Sequence, residues 1–423
     1  MNTSQLLSRG HRKETGQTLI FFAIMMLMLI LVVGMTVDAA TIYLSKASMD
    51  KAVDAAGLTA VRNLFQGQAQ ATAVAQAAFT ANYRCGGQSA SAPALNITYS
   101  TDTANNTVVT ILGTSVINTY FLRVIPRFQT FQISSLATAT RAKLVMSLVV
   151  DRSGSMVGNN GSKKLPGAVG TFISFFDDNM DKVSLVSFSS TTNLNVSVRQ
   201  PFKSVVTAAA NALSFDGYTY TEGGLKLAKQ QNDSVIIPSG ENVIKVVVFF
   251  SDGQPNTWQY TWTNSLNGVQ IKNMVADPVY IGPNRYIILN PSNGNQIKPS
   301  GQFYDPLKGP VTSKGKPYDM PITTFRSVNG STKSINGSNF VTESELLPLA
   351  RANEIRNANM LIFCIGLGDS IDENFLHQIA NDTSSSTFNP NQPVGETIIA
   401  ATANDLQVAF QQIAAKILLR LTQ

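Results

Sequence analysis

Apolar and polar positions change their rhythm several times along the chain, and each change predicts a different element. From Thr15 to Val37 no residue is charged, a run of 23 positions. At the helical rise that run crosses a bilayer's hydrocarbon core with some tilt. Past Asp38 the apolar residues spread out. Met49, Val53, Ala56, Ala60 and Leu64 recur at intervals of three and four, the stripe of an amphipathic helix. One such helix, rich in alanine, is expected over 38–84, packed on the body that follows. Between 85 and 143 the rhythm shortens. Leu95–Tyr99 and Thr107–Leu112 read as strands around a polar turn at Thr101–Asn106, and Asn118–Ile125 reads as a short helix. This predicts a small α+β module that spaces the rest of the chain from a membrane.

From Leu144 onward the apolar runs are those of an α/β domain. Val145–Val150 and Val243–Phe250 are unbroken enough to be strands buried on both faces. Between them lie a helical stripe (Leu165, Val169, Phe172, Phe176), a strand at Val183–Phe188, an edge strand near Asn195–Val198, and a helix from about Phe202 to Leu213. Residues 254–341 break the pattern. They hold Trp258, Trp262 and nine of the chain's 17 prolines, with no sustained helical period. Their aromatics predict that parts of this insertion pack, while Asn329–Gly337 reads as flexible. The insertion is either a surface excursion or a lid bordering a ligand-binding face. Regular structure resumes at Thr342–Glu345, a capping-box pattern that Pro348 would bend or delay. Leu361–Ile365 follows as a central strand, and Leu406, Phe410, Ile413 and Ile417 mark a last helix.

The candidate chemistry sits where these strands end. Val150 gives way to Asp151-Arg152-Ser153-Gly154-Ser155, a carboxylate and two hydroxyls around a glycine. Open α/β sheets bind ligands at the carboxyl ends of their strands, and hard oxygen donors suit Mg²⁺. Downstream, a glycine-rich loop at Gly217–Leu225 adds hydroxyls, and Ser251-Asp252-Gly253 follows the second buried strand. Together these pieces resemble the von Willebrand factor A (vWA) domain and its metal-ion-dependent adhesion site. The family pattern of Asp-x-Ser-x-Ser, a distant Gly-x-Thr and a later Asp falls on Asp151, Ser153, Ser155, Thr219 and Asp252. Thr221 is instead placed as the cap of the next helix.

The resemblance implies a Rossmann-like α/β fold, a mostly parallel central sheet flanked by helices, spanning 144–423 with the large insertion at about 254–341. It also implies a divalent cation, Mg²⁺ with Mn²⁺ or Ca²⁺ as alternatives, whose open position accepts an acidic residue of a protein partner. The words of Asp405–Ala414 also resemble the end of bacterial vWA domains.

A second resemblance covers the start of the chain. Gly16-Gln17 before the apolar run, Asp38 at its end and Met49–Leu58 are similar to TadG/TadE-type proteins of the tight-adherence (Tad, or Flp) pilus system. Phe21 stands where prepilin-like members carry a glutamate, so an uncut anchor is expected. Arg9, His11, Arg12 and Lys13 precede the run and predict a cytoplasmic leader over 1–14, a transmembrane helix over 15–37, and export of everything beyond. The competing reading is a signal peptide cut after Ala39 or Ala40. In a bacterium this places the chain as a single-pass protein of the inner (cytoplasmic) membrane with its bulk in the periplasm or at the cell surface, among pilus assembly components.

Composition narrows the picture further. Charged residues make up only 14% of the chain and the net charge is +6, with no basic stripe among interleaved aromatics, so nucleic acid is not an expected partner. Cys85 and Cys364 match no zinc or redox spacing; a buried thiol at Cys364 is expected over a disulfide between the two. Asp177, Asp178 and Asp181 read as an exposed helix end. Catalysis fits poorly: no Walker A or His-Glu-x-x-His pattern occurs, and a Ser-His-Asp arrangement would have to rest on His377. The leading expectation is therefore a non-enzymatic, metal-dependent binding protein in pilus assembly or surface adhesion. The alternatives are a structural scaffold with a passive vWA module and, more remotely, a hydrolase.

Overall fold

The computed structural model describes residues 15–103, 106–259, 324–334, 337–369 and 371–421, with short strand segments between 262 and 311. The basic leader and most of the insertion expected from the sequence lie outside the described residues. The chain divides into two compact units, one of residues 1–100 and 108–140, the other of 101–107 and 141–423.

In the first unit the uncharged run and the amphipathic stripe form one unbroken helix, α1 (Thr15–Arg62, 48 residues). Its side chains from Leu19 to Val37 are exposed except at Gly34, and among the described residues it is the one helix long and apolar enough to cross a membrane. Beyond Asp38 its stripe turns inward. Met49, Val53, Ala56 and Ala60 are buried against Ala71, Ala75 and Phe79 of α2 (Gln68–Asn82) and against Val109, Ile111, Ile117 and Ile133. The stretch after Asp38 is therefore two helices rather than the single one expected. A 3₁₀ turn at Leu64–Gln66 ends α1, and Gly67, at φ 92°, redirects the chain into α2.

The sheet of this unit has the order β1-β2-β3, with β1 at Ala94–Thr101, β2 at Thr107–Asn118 and β3 at Thr130–Arg141. The helix expected at Asn118–Ile125 is only a 3₁₀ turn at Leu122–Val124. Alternate burial at residues 109, 111, 113, 115 and 117 carries β2 on to Asn118.

The second unit is a six-stranded sheet between two helical layers. Its strands are β4 (Lys143–Asp151), β5 (Lys182–Phe188), β6 (Thr192–Arg199), β7 (Val243–Ser251), β8 (Leu361–Leu367) and β9 (Glu396–Ala400). Their spatial order is β9-β8-β7-β4-β5-β6, all parallel except the edge strand β6. β4 is buried on both faces, as its unbroken apolar run requires. Leu144, Met146, Leu148 and Val150 face α4 (Gly161–Ser174), α5 (Lys203–Asn211) and α9 (Leu406–Arg420). Val149 faces the other layer, α6 (Thr221–Asp233), α7 (Gly337–Asn357) and α8 (Glu373–Ala380). The expected stripes of α4 and α9 are all buried: Leu165, Val169, Phe172 and Phe176, then Leu406, Phe410, Ile413 and Ile417.

Several local expectations are corrected. α7 begins at Gly337, ahead of the Thr342–Glu345 pattern, and runs through Pro348. Glu343 is committed elsewhere, accepting from Ser327 Oγ and from Val328 N at 2.7 Å. Residues 329–334 form the turn and second strand of a hairpin pairing Thr324–Arg326 with Thr332–Ser334, not a loose segment. Both ends of the insertion meet in one aromatic cluster, where the Trp258 ring lies 5.1 Å from Phe325 and 5.2 Å from Phe340.

The acidic cluster is not an exposed helix end. Asp181 is fully buried, accepting from Arg141 Nη1 at 2.9 Å and Nη2 at 2.7 Å, and from Leu144 N. Asp178 accepts from Phe202 N and Lys203 N at the start of α5. Cys85 and Cys364 are both free, Cys364 buried.

Candidate metal centre

The sheet's connectivity selects one place for a site. From β4 the chain moves to β5 and β6 on one side, then returns to β7 on the other, so the strand order reverses between β4 and β7. Loops leaving two such strands at their carboxyl ends diverge and leave a crevice. Val150 pairs with Phe250 in the register of β4 and β7, so Asp151 and Ser251-Asp252 emerge side by side at that crevice.

Four of the five expected side chains join one hydrogen-bonded cluster there. Asp151 Oδ1 accepts from Ser153 N at 2.8 Å, which folds the loop back over its own carboxylate. The Ser153 and Ser155 hydroxyls lie 2.9 Å apart, and Ser155 Oγ donates to Asp252 Oδ1 at 2.7 Å. The fifth, Thr219, is held alongside through its backbone. Gly154 N donates to Gly217 O at 3.1 Å, pinning the glycine-rich loop against the serine loop. Asn256 then brackets Thr219, accepting from its N–H at 2.8 Å and donating its own N–H to its carbonyl at 3.2 Å. Gly217 is obligatory in this loop: its φ is 79°, and a Cβ there would lie 2.5 Å from Ser190 Oγ. Thr221 is not the cap of α6. Tyr220 occupies that position, and the buried Thr221 hydroxyl has no hydrogen-bond partner among the described residues.

Three contributors escaped the sequence reading. Ser251 Oγ donates to Asp151 Oδ2 at 2.6 Å, Asn159 Nδ2 donates to Asp252 Oδ2 at 3.1 Å, and Asn256 holds Thr219. Ser251 stood next to Asp252 in sequence and could have been suspected. Asn159, in the turn between α3 (Ser155–Gly158) and α4, carried no such signal.

The electrostatics of the cluster are unbalanced. Asp151 and Asp252 are nearly inaccessible, at 0% and 2% exposure, and among the described residues neither is in an ion pair. Arg152, the residue after Asp151 in the loop, pairs instead with Asp216 at 3.1 Å. Burial, and then the neighbouring Asp252 charge, push the Asp151 carboxyl up from the ordinary 3.8 to about 7. Burial likewise raises Asp252, against the lowering effect of Ser155 and Asn159. Among the described residues no group of three or more His, Cys, Asp or Glu side chains gathers to hold a metal. The donor set here is two carboxylates and hydroxyls, oxygen only, and its buried negative charge is complementary to a hard cation.

Residues 146–254 match the von Willebrand factor type A domain family, and the chain carries such a domain. Residues 16–63, nearly the span of α1, match the putative Flp pilus-assembly TadE/G-like family, so the chain begins with a TadE/G-like region. No curated protein matches the chain. Among solved structures, the vWF domain of the type V pili tip protein Mfa5 from Porphyromonas gingivalis is 17% identical, with 67% of this chain and 98% of that one covered and a TM-score of 0.41. The PilB minor pilin from Streptococcus sanguinis is 15% identical over 78% of this chain and 79% of its own, with a TM-score of 0.39. Proximal thread matrix protein 1 from the mussel byssus is 13% identical with a TM-score of 0.35; 66% of this chain is covered, and the chain spans 46% of that protein's length.

Proposed function

We propose that this chain is a single-pass protein of a bacterial cytoplasmic membrane whose exported vWA domain binds another protein through a divalent cation, within Tad/Flp-type pilus assembly or surface adhesion. The observation that carries this reading is the cluster Asp151–Ser153–Ser155–Asp252, two buried carboxylates joined by serine hydroxyls and, among the described residues, in no ion pair. Asp151, Ser153, Ser155, Thr219 and Asp252 are the ligands in this reading. Mg²⁺ is the cation, with Mn²⁺ or Ca²⁺ able to replace it. When bound, the cation supplies a positive centre with a free coordination position for a partner's Asp or Glu. The protein's part is to keep the five oxygens preorganised: Ser251 fixes Asp151, Asn159 fixes Asp252 and Asn256 fixes the Thr219 loop.

The TadE/G-like match of α1 supports the membrane and pilus parts of the proposal. The cytoplasmic placement of the amino terminus rests on the basic leader. The test uses the full-length chain in nanodiscs, with Mn²⁺ as an electron-paramagnetic probe and envelope proteins offered in Mg²⁺ or in chelator. Saturable Mn²⁺ binding lost in Asp151→Ala, with partner capture lost in chelator, is the expected result. Equal capture in Mg²⁺ and chelator would overturn the metal-dependent mechanism.

A further inference from the structure

Within the first unit, the segment between β2 and β3 is unusual for a protein surface. Phe121, Val124, Ile125 and Phe128 are all exposed, Val124 at 83%. Between them stand Arg123 and Arg127, also exposed and, among the described residues, in no ion pair. No acidic residue occurs anywhere between Asp102 and Asp151. A contiguous apolar patch flanked by unpaired cations marks an interaction surface.

The segment's position is fixed by α1. Asp38, fully buried, accepts from the backbone N–H groups of Tyr120, Phe121 and Leu122 at 2.7, 3.0 and 2.7 Å. One turn earlier, Gly34 leaves room for the Phe121 ring; a Cβ there would lie 2.4 Å from Phe121 Cγ. The patch is thereby held against the last turn of the uncharged run. From Thr15 to Val37 that run spans about 35 Å, so its end falls at the boundary between hydrocarbon and headgroups.

We infer that residues 120–128 dock into the headgroup boundary of the bilayer that α1 crosses, with Phe121, Val124, Ile125 and Phe128 entering the acyl edge and Arg123 and Arg127 binding anionic lipid phosphates. Aromatic and aliphatic side chains gain from that boundary, and arginines reach out of it to phosphate oxygens. Asp38 acts as the clamp. Its carboxylate holds three amides at the exit of the membrane helix, fixing the loop, and with it the start of β3, at the bilayer surface. The inference rests on the reading of α1 as a membrane anchor, and the test separates the two.

The full-length chain carrying Cys85→Ser is reconstituted in nanodiscs of phosphatidylethanolamine and phosphatidylglycerol; Cys364 is buried and escapes labelling. An environment-sensitive fluorophore is placed at Val124→Cys, at Leu27→Cys within the apolar run, and at Gln70→Cys, exposed near the far end of α1. Nitroxides on lipid headgroups and on acyl chains serve as quenchers. The expected result is quenching at position 124 by nitroxides on headgroups and at the top of the acyl chains, quenching at 27 by nitroxides deep in the acyl chains, and none at 70. Arg123→Glu with Arg127→Glu should lower the quenching at 124 by about twofold and leave position 27 unchanged.

If position 27 is quenched but 124 behaves like 70, the anchor stands and the docking is wrong. A blue-shifted label at 124 that no lipid nitroxide quenches would mean a protein covers the patch, which also overturns the proposal. Quenching at 124 that ignores the arginine changes overturns the anionic-lipid assignment. No quenching at 27 overturns the anchor and the docking with it.

Discussion

Ser155 Oγ donates to Asp252 Oδ1 at 2.7 Å, joining residues 97 positions apart and closing the loop of β4 onto the end of β7. Ser155 is also 2.9 Å from Ser153, so a single chain of hydroxyls links the two carboxylate loops. The proposed ligand set is distributed, and its members should fail unequally. Asp252→Ala removes a full negative charge and should weaken Mn²⁺ binding by well over tenfold, more than the loss expected for an outer-shell partner. Ser155→Ala removes a neutral donor and should cost less. Titration calorimetry on the two variants checks the order; equal losses would mean the serine is more than a neutral ligand.

Asn159 provides a sharper test because, among the described residues, its side chain hydrogen-bonds the Asp252 carboxylate alone. Its Nδ2 lies 3.1 Å from Asp252 Oδ2, on the oxygen opposite the one that Ser155 engages. Asn159→Ala should leave Asp252 free to rotate and weaken Mn²⁺ binding by about tenfold while the fold's stability stays near wild type. An unchanged affinity would show that Ser155 alone suffices to orient the carboxylate.

Much of this was legible in the sequence because its physical cause is local. The apolar run of Val145–Val150 can be satisfied only by burial on both faces, and the stripe of Leu165, Val169 and Phe172 only by a helix packed on one. The oxygen donors were visible because strand ends and glycine-rich loops are marked by residue type. What stayed hidden depends on pairing across distance. Asp181 looked like a surface acid because nothing near it in sequence says that Arg141 will meet it in the interior. Thr221 had the right chemistry for a cap, yet the chain turns into α6 one residue earlier, at Tyr220. β9 was missed because Glu396–Ala400 is short, half-buried and begins with a charge. The asparagines that brace the site are polar residues in turns, where their type alone predicts only a turn.

The Arg141–Asp181 pair predicts a large effect far from any chemistry. Both side chains are nearly inaccessible, at 2% and 0% exposure, and the bond is two-pronged. Asp181 also holds Leu144 N at the start of β4 and Asp177 N at 2.7 Å. Removing one partner strands a buried charge, so Asp181→Ala should destabilise the vWA unit by about 3–5 kcal/mol. Both tryptophans, Trp258 and Trp262, belong to that unit, so tryptophan fluorescence during urea unfolding reports on it. A loss below about 1 kcal/mol would mean water reaches the pair and screens it.

Asp151, with Asp252 shifted in the same direction, makes the metal-free vWA unit less stable as pH rises. Burial and the nearby Asp252 raise its carboxyl to about 7, from the 3.8 of an ordinary aspartate. The folded chain thus keeps a proton that the unfolded chain releases, and stability must fall as pH rises between those values. In chelator, the midpoint of urea unfolding should decline from about pH 4 to about pH 7 and then flatten as far as this group is concerned. Mg²⁺ favours the ionised carboxylate, so adding it should offset that decline above pH 7 and do little near pH 5. Asp151→Asn keeps the shape without the charge. In chelator at pH 8 it should unfold at higher urea than wild type, and in Mg²⁺ it should lose the metal's stabilisation. A wild-type midpoint that instead rises steadily from pH 4 to 7 in chelator, with Asp151→Asn following the same curve, would show that burial does not hold the Asp151 proton and would remove the charge imbalance on which the metal reading rests.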